Sequence, residues 1–141
     1  MPQQRSYRLG REAKFYYGAA GSRATSELTN VKDLTLNLET GEADVTTRGS
    51  SDWEETVATR KKGSIEFEMV DDPNDPGFNA FQAAFFGSTP IACLILNCEG
   101  GHGLDADFAV TNFSRKEPLD EAISVSVTIK PTRSTRAPAW V

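Results

Sequence analysis

Strict alternation of apolar and polar residues is the feature that most constrains this chain. It is clearest in ISVSVTIKP, where apolar residues at positions 123, 125, 127 and 129 alternate with serine and threonine. The segments VKDLTLNLE, GSIEFEMV and DADFAVTNF repeat the pattern. Because side chains of a strand point alternately to its two faces, this period predicts strands with one buried and one polar face. The chain is therefore predicted to be mainly β.

Two further segments complete the predicted fold. Residues Ile91–Leu96 are apolar on both faces, which indicates a strand covered on both sides. DPGFNAFQAAFFGS reads as the one helix, because Asp75 can cap it, Pro76 fits its first turn and Gly87 can end it. Three phenylalanines share the helical face that would pack on a sheet, Phe78, Phe81 and Phe85. The prediction is a two-sheet β-sandwich or barrel with one flanking α-helix, in a single domain over residues 1–141.

A long polar excursion separates two of the alternating segments, from about Thr40 to Gly63. Hairpins normally close within a few residues, and a structureless loop of roughly 20 residues is uncommon in a compact domain unless it is functional or disordered. The excursion also contains Trp53, one of two tryptophans in the chain. We therefore expect it to have a function.

Charge is distributed unevenly along the chain, whose net charge is −5. The N-terminal arm (about 1–14) and the C-terminal arm (about 130–141) are basic, so the acidic charge lies between them. This balance argues against non-specific binding to nucleic acid or anionic membranes. We found no signal-peptide pattern and no membrane anchor, so a cytosolic product is expected, with Cys93 and Cys98 reduced.

Catalytic and metal chemistry are poorly supported. The chain has a single histidine, His102, and in C-x4-C-x3-H the three ligands would not converge, because Cys93 lies inside a predicted strand. The carboxylate pairs Asp105/Asp107 and Glu66/Glu68 each share one strand face, which we interpret as a solvated polar face. We predict no catalytic residue, no metal ligand and no cofactor.

The order of these segments resembles a known family. LTLNLE, the excursion with WEETVATRKKG, the strand beginning GSIEFE, a short helix and then ADFAVTNFSRKEPLDEAISVSVTIKPT are together similar to the major tail tube protein of long-tailed bacteriophages. The resemblance covers about Leu28 to Thr132, and the phrase VTNFSRKEPLDEAISVSVTI carries most of it.

This resemblance implies six copies in a ring, and rings stacked into a hollow tube for DNA passage and ejection. It implies that the excursion contacts a neighbouring ring, through Trp53, Glu54, Glu55, Arg60, Lys61 and Lys62. The lumen of such a tube should not bind phosphate, so we expect it to be lined by the polar faces of the two strands that flank the excursion. The candidate residues are Thr35, Asn37, Glu66 and Glu68. If these do not line it, the lumen is expected at Asp105 and Asp107 or at Ser124, Ser126 and Thr128. Contacts between the basic arms and acidic patches of neighbouring subunits are predicted for Arg5, Arg8, Arg11, Arg133, Arg136 and Trp140.

The implied partners are copies of the chain itself, tape-measure and tail-terminator proteins, and DNA in transit. The implied location is the virion tail, with assembly in the host cytoplasm. A tube protein of a type VI-like secretion system or phage-tail-like injection system shares the fold and is the main alternative. Other classes are a sugar-binding β-sandwich module and a small metal-dependent hydrolase.

Overall fold

The computed structural model describes residues 9–49, 52–98 and 100–141. Within them the chain forms eight strands and one α-helix: β1 Lys14–Ala19, β2 Ser26–Glu27, β3 Leu34–Asp44, β4 Thr56–Val70, α1 Pro76–Gly87, β5 Ile91–Leu96, β6 Gly103–Lys116, β7 Ser124–Pro131 and β8 Ala139–Trp140. All pairs are antiparallel, in the order β2-β1-β5-β6-β7-β4-β3, with β8 beside β6. The predicted mainly-β class is confirmed. No helix in this part of the chain has the length and apolar composition needed to span a membrane.

The sheet folds over on itself. Strands β1 and β4 are separated by three strands in the sheet, yet the rings of Phe15 and Phe67 lie 5.0 Å apart. The fold occurs along β6, whose first half pairs with β5 and whose second half pairs with β7, with a register irregularity after Val110. The predicted sandwich therefore has two facing layers made from one sheet: a first half-sheet (β2, β1, β5 and the start of β6) and a second half-sheet (the end of β6, β7, β4 and β3).

Helix α1 packs into this fold through the predicted aromatic face. Phe81 is fully buried and contacts Phe15 and Phe67, with ring centroids 5.9 and 5.2 Å away. Phe78 and Phe85 both pack on Phe113 of β6, at 6.0 and 5.8 Å. Burying one such ring contributes about 1.5–3 kcal/mol, so these contacts fix the helix on the sheet. The predicted cap is also present, since the Asp75 carboxylate accepts a hydrogen bond from the backbone N–H of Gly77 at 3.2 Å.

Strand β5 is covered on both faces, as its sequence predicts. Ile91, Cys93 and Ile95 belong to the main core between the half-sheets, while Ala92, Leu94 and Leu96 belong to a second cluster with Ala24 and Val141. The second cluster is covered by the β1–β2 connection and the C-terminal residues. Burial raises the pKa of the Cys93 thiol well above its usual range, and both cysteines are free.

The polar excursion is largely a β-hairpin. Strands β3 and β4 remain paired beyond the core, at Glu39 with Lys62 and at Ala43 with Val57. Gly41 faces an irregularity on β4 where the register shifts. We call residues 39–62 the hairpin arm; the loop at its tip begins after Asp44 and ends before Thr56. The expectation of a long polar excursion is met, but its length comes from strand pairing, since the backbone groups of both strands bond each other instead of water.

Candidate functional site

A broad polar surface covers the outer side of the second half-sheet. Two cross-strand rows form its centre, Thr35, Glu66, Thr128 and Asn112 in one and Glu68, Ser126 and Ser114 in the other. The opposite side of the same strands is apolar and buried, as at Ile65 and Val127. We call the outer surface the polar face.

The polar face brings together all four residues predicted to face a lumen, Thr35, Asn37, Glu66 and Glu68. It also contains Ser126 and Thr128 of the alternative set, because β7 lies directly beside β4. Ser124, the third residue of that set, is buried, at 8% exposure, and does not belong to the exposed surface. Asn112 and Ser114 join them and were missed. Their alternation with Phe113 does indicate that they share one face of β6. The irregularity after Val110 shifts this alternation by one residue relative to the first half of β6, so the outer positions change from odd to even numbers.

The polar face is acidic at its centre and basic towards its ends. Glu66 and Glu68 lie near the middle, and neither forms an ion pair within the part of the chain that is described. Lysines lie on the same side of the sheet towards its ends, Lys62 and Lys130 near the hairpin arm and Lys116 at the other end. The centre of the face is therefore acidic or neutral and is poorly suited to hold phosphate.

The described residues of the hairpin arm are exposed, apart from the half-buried Gly41. Its tip contains Trp53, with 78% of its surface exposed, followed by the exposed acids Glu54 and Glu55. The predicted cations Arg60, Lys61 and Lys62 lie on β4, while β3 opposite them is acidic. An arm of this kind gains little stability from contacts with the core of its own domain.

Two carboxylates predicted to be solvated are buried. Asp105 and Asp107 lie on the outer side of β6, but they are only 6% and 2% exposed because the C-terminal segment crosses over them. The Arg136 guanidinium donates to both, from Nη1 to Asp105 at 2.7 Å and from Nε to Asp107 at 2.9 Å. The interpretation of this pair as a solvated face, and as an alternative lumen, was wrong. Alternation correctly placed both on one side of β6, but it carried no information about what covers that side.

Further donors complete this cluster. Ser134 Oγ and the Gly21 N–H donate to Asp107, and Arg23 Nε donates to Asp105 at 3.2 Å. Burial raises the pKa of Asp107, but the hydrogen bonds from Ser134, Arg136 and Gly21 and the charge of Arg136 outweigh it, so this pKa lies below its usual value. Burial likewise lowers the pKa of Arg136, and its contacts with the two carboxylates raise it overall. Asp107 and Arg136 are therefore both charged at neutral pH.

The predicted arm residues have different positions. Arg5 and Arg8 lie outside the described residues, and Arg11 is exposed in a 3-10 turn, Gly10–Glu12. The contact predicted between Arg136 and a neighbouring subunit is replaced here by the ion pairs within its own chain. Trp140 pairs with Leu104 through β8 and keeps 63% of its surface exposed, and Arg133 is exposed.

A family model described as phage tail tube protein matches residues 14–132. The chain belongs to the phage tail tube protein family. The match includes the polar face, the hairpin arm and helix α1, so the sequence resemblance is confirmed and extends further towards the N-terminus than it first indicated. Membership identifies the chain as a tail tube structural protein.

Solved structures of tail components share the fold of this tail tube protein. The tail of an empty gene transfer agent particle, with C6 symmetry, superposes with a TM-score of 0.78 at 16% identity, covering 96% of this chain and 99% of that one. The SPP1 tail tube gives 0.69 at 10% identity, over 88% and 75% of the two chains. The baseplate of the anti-feeding prophage gives 0.61 at 9% identity, over 100% and 97%. No curated protein matches the sequence at a significant level.

Proposed function

We propose that this tail tube protein assembles into rings of six subunits that stack into a hollow tube through which DNA passes. The observation that carries the proposal is the family match over most of the chain. Two neighbours of the same fold are described with C6 or 6-fold symmetry, which supports the number of subunits. Residues 1–141 act in this proposal as one tube domain, with its N-terminal arm at about 1–14 and its C-terminal arm at about 130–141.

The polar face is the surface that we assign to the channel. The outer side of the first half-sheet is covered by the C-terminal segment and the Arg136 cluster, whereas the outer side of the second half-sheet is exposed. A channel for DNA must not retain phosphate, and Glu66 and Glu68 give the centre of the polar face a negative charge. Thr35 and Asn37 would line the same channel.

The hairpin arm is assigned to contacts between rings. Trp53, Glu54, Glu55, Arg60, Lys61 and Lys62 are all exposed and lie on an element that projects beyond the core. A tryptophan at such a position can be buried when subunits assemble. Arg11, Arg133 and Trp140 are proposed to contact neighbouring subunits in the same assembly.

The proposed role is structural and requires no cofactor. The tube would be part of the virion tail and would be assembled in the host cytoplasm, with tape-measure and tail-terminator proteins setting its length. A tube of a phage-tail-like injection system is the second candidate, favoured by the shared fold with the anti-feeding prophage baseplate. The two candidates differ in what passes through the channel.

Electron microscopy of the purified protein tests the proposal. Across a series of concentrations and salt conditions we expect rings and tubes with a central pore and six-fold symmetry. Light scattering that shows only monomer over the whole series would contradict it. A glycan array is the control for the sugar-binding alternative, which predicts a monomer that retains glycans.

A further inference from the structure

A groove with a mixed polar and apolar lining lies where the hairpin arm leaves the core. Its volume is about 780 Å³, and its apolar residues are Leu36, Leu38 and Pro131. Leu38 is 54% exposed although it continues the buried stripe of β3. The rest of the lining is mainly polar or charged, so the exposed Leu38 is an isolated apolar contact point for a side chain of another molecule.

The rim of this groove is basic. Lys61, Lys62 and Lys130 line it, against a single acid, Glu39. None of the three lysines has a carboxylate within ion-pair distance in the described parts of the chain. The groove therefore favours an occupant with an apolar centre and acidic flanks.

The β6–β7 loop, residues 117–123, has that composition. Leu119 at its tip is 98% exposed, and it is flanked by Glu117, Asp120 and Glu121. The Glu117 carboxylate Oε1 lies 3.4 Å from Arg115 Nε, whereas Asp120 and Glu121 form no ion pair within the described residues. An exposed leucine with acidic neighbours complements the exposed Leu38 with its lysine neighbours.

The loop and the groove lie at opposite ends of β7. The loop ends where β7 begins, at Ser124, and Pro131 at the other end of β7 lines the groove. Eight residues of strand span about 25 Å, so a chain cannot place its own loop in its own groove. A second copy in the same orientation can do so, and a contact between two different surfaces repeats from copy to copy.

We propose that the β6–β7 loop of one subunit docks in the Leu38 groove of the next, with Leu119 packing on the exposed face of Leu38 and its acids facing the lysine rim. This inference rests on the proposed tube function and names a contact that builds it. The arm tip is a competing occupant, since Trp53 also has acidic neighbours. It extends from the same end of the domain as the groove, so copies in one orientation place it away from the partner's groove.

Cross-linking tests the contact directly. The chain with Leu38→Cys and Leu119→Cys, in a Cys98→Ser background, is assembled and oxidised. A disulfide needs Cα atoms within roughly 7 Å, so any bond between these positions must join two chains. We expect a ladder of covalent oligomers on a non-reducing gel, whereas each single variant gives at most dimers. A ladder from Leu38→Cys with Trp53→Cys, and none from the first pair, would overturn the proposal in favour of the arm tip.

Charge reversal provides an independent test with its own rescue. Lys61→Glu with Lys62→Glu, or Asp120→Lys with Glu121→Lys, should each raise the protein concentration needed for assembly about tenfold, because like charges would meet in the contact. All four changes in one chain restore opposite charges and should recover assembly. If wild-type tubes form but reversal has no effect, or the combined variant does not recover, the docking proposal fails and the tube function stands. A wild-type protein that never assembles would overturn both.

Discussion

Asp107 is the most buried charged residue of the described chain, at 2% exposure. Its burial is tolerated because its carboxylate accepts hydrogen bonds from Arg136, Ser134 and the Gly21 N–H. These donors come from a loop and from the C-terminal segment, so one carboxylate holds two otherwise separate parts of the chain against β6. Arg136 therefore stabilises the fold of its own subunit.

Removing Arg136 should destabilise the folded subunit. Arg136→Met leaves Asp105 and Asp107 buried without their main partner, and we expect a loss of about 2–4 kcal/mol in the free energy of unfolding. Urea unfolding of the dilute monomer measures this loss. Arg133→Met is the matched control, because Arg133 is exposed and forms no ion pair in the described structure, so its change should stay within about 0.5 kcal/mol. Equal losses in both variants would show that the Arg136 ion pairs contribute little.

The same cluster predicts how stability depends on pH. The pKa of Asp107 is lower in the folded chain than its ordinary value of about 3.9, so the unfolded chain binds this proton more tightly. Its contribution is complete above about pH 4 and is lost as the pH falls through the lower folded value. Asp107→Asn should therefore be less stable than wild type at pH 7 but lose less stability on further acidification.

Unfolding free energies measured from pH 7 down to about pH 2 test this prediction. The exposed Asp120→Asn is the control and should follow the wild-type curve. Parallel curves for wild type and Asp107→Asn would mean that the pKa of Asp107 does not change on folding.

At the scale of elements, the hairpin arm is the part of the fold least supported by its own domain. It has strand pairing but no core on either side, and its residues from Glu42 to Gly49 are exposed. A two-stranded hairpin is marginally stable alone in water, so the arm depends on its continuity with β3 and β4 at the core. The role in assembly that we propose for the arm would account for its polar surface.

Trp53→Ala should separate assembly from folding. Trp53 belongs to neither core cluster and is 78% exposed, so the melting temperature of the monomer should change little. If assembly buries the indole ring, the loss should weaken ring stacking by about 2 kcal/mol or more, as for other interface tryptophans. Differential scanning fluorimetry measures the first effect and sedimentation of tubes the second.

A variant of the monomer core provides the contrast for Trp53. Phe81→Ala removes a fully buried ring and should cost about 3–5 kcal/mol of monomer stability. A drop in monomer melting temperature for Trp53→Ala that approached that of Phe81→Ala would place the tryptophan in the monomer fold and remove it from the ring contact.

At the scale of the whole molecule, the folded-over sheet leaves one outer surface exposed and covers the other. The covered surface holds the Arg136 cluster and the second apolar cluster, and the exposed one is the polar face. Such a subunit can present the polar face to a channel while its other surfaces contact neighbouring subunits. Its strands need not rearrange for this assembly.

Adding cations to the polar face should make the channel retain DNA. Glu66→Lys with Glu68→Lys should leave ring formation nearly intact, because solvated side chains contribute little to packing. Tubes of this variant should hold DNA at low salt and release it as salt rises, since each new phosphate contact releases counterions. Gel-shift and co-sedimentation assays over a salt series measure the effect.

Glu66→Gln with Glu68→Gln is the matched control for the channel. It removes the acids without adding cations. Its tubes should therefore retain DNA about as weakly as wild-type tubes do. If the lysine variant forms normal tubes that do not retain DNA, Glu66 and Glu68 lie on the outside of the tube or in a subunit contact.

Local pattern determined much of this fold. Alternation identified the core parts of β3, β4, β6 and β7 and the side of each that packs in the main core, and helix signals at Asp75, Pro76 and Gly87 gave α1 nearly to the residue. The polar face was also predictable in part, since the side occupied by Glu66 and Glu68 follows from period two alone. These features depend on residues a few positions apart, which is the range over which sequence pattern and backbone geometry are directly linked.

Contacts between distant residues were decided only by the tertiary structure. Arg136 lies about 30 positions from Asp105 and Asp107, and no local pattern shows that the C-terminal segment returns over β6 to bury them. In the same way, the sequence defined Ser126 and Glu68 as polar without showing that β7 lies beside β4 and joins them into one face. The sequence by itself determined which side of each strand is polar. The order of strands in the sheet decided which polar sides joined into one surface, and the path of the C-terminal segment decided which became a buried ionic cluster, because burial depends on what the rest of the chain places on top.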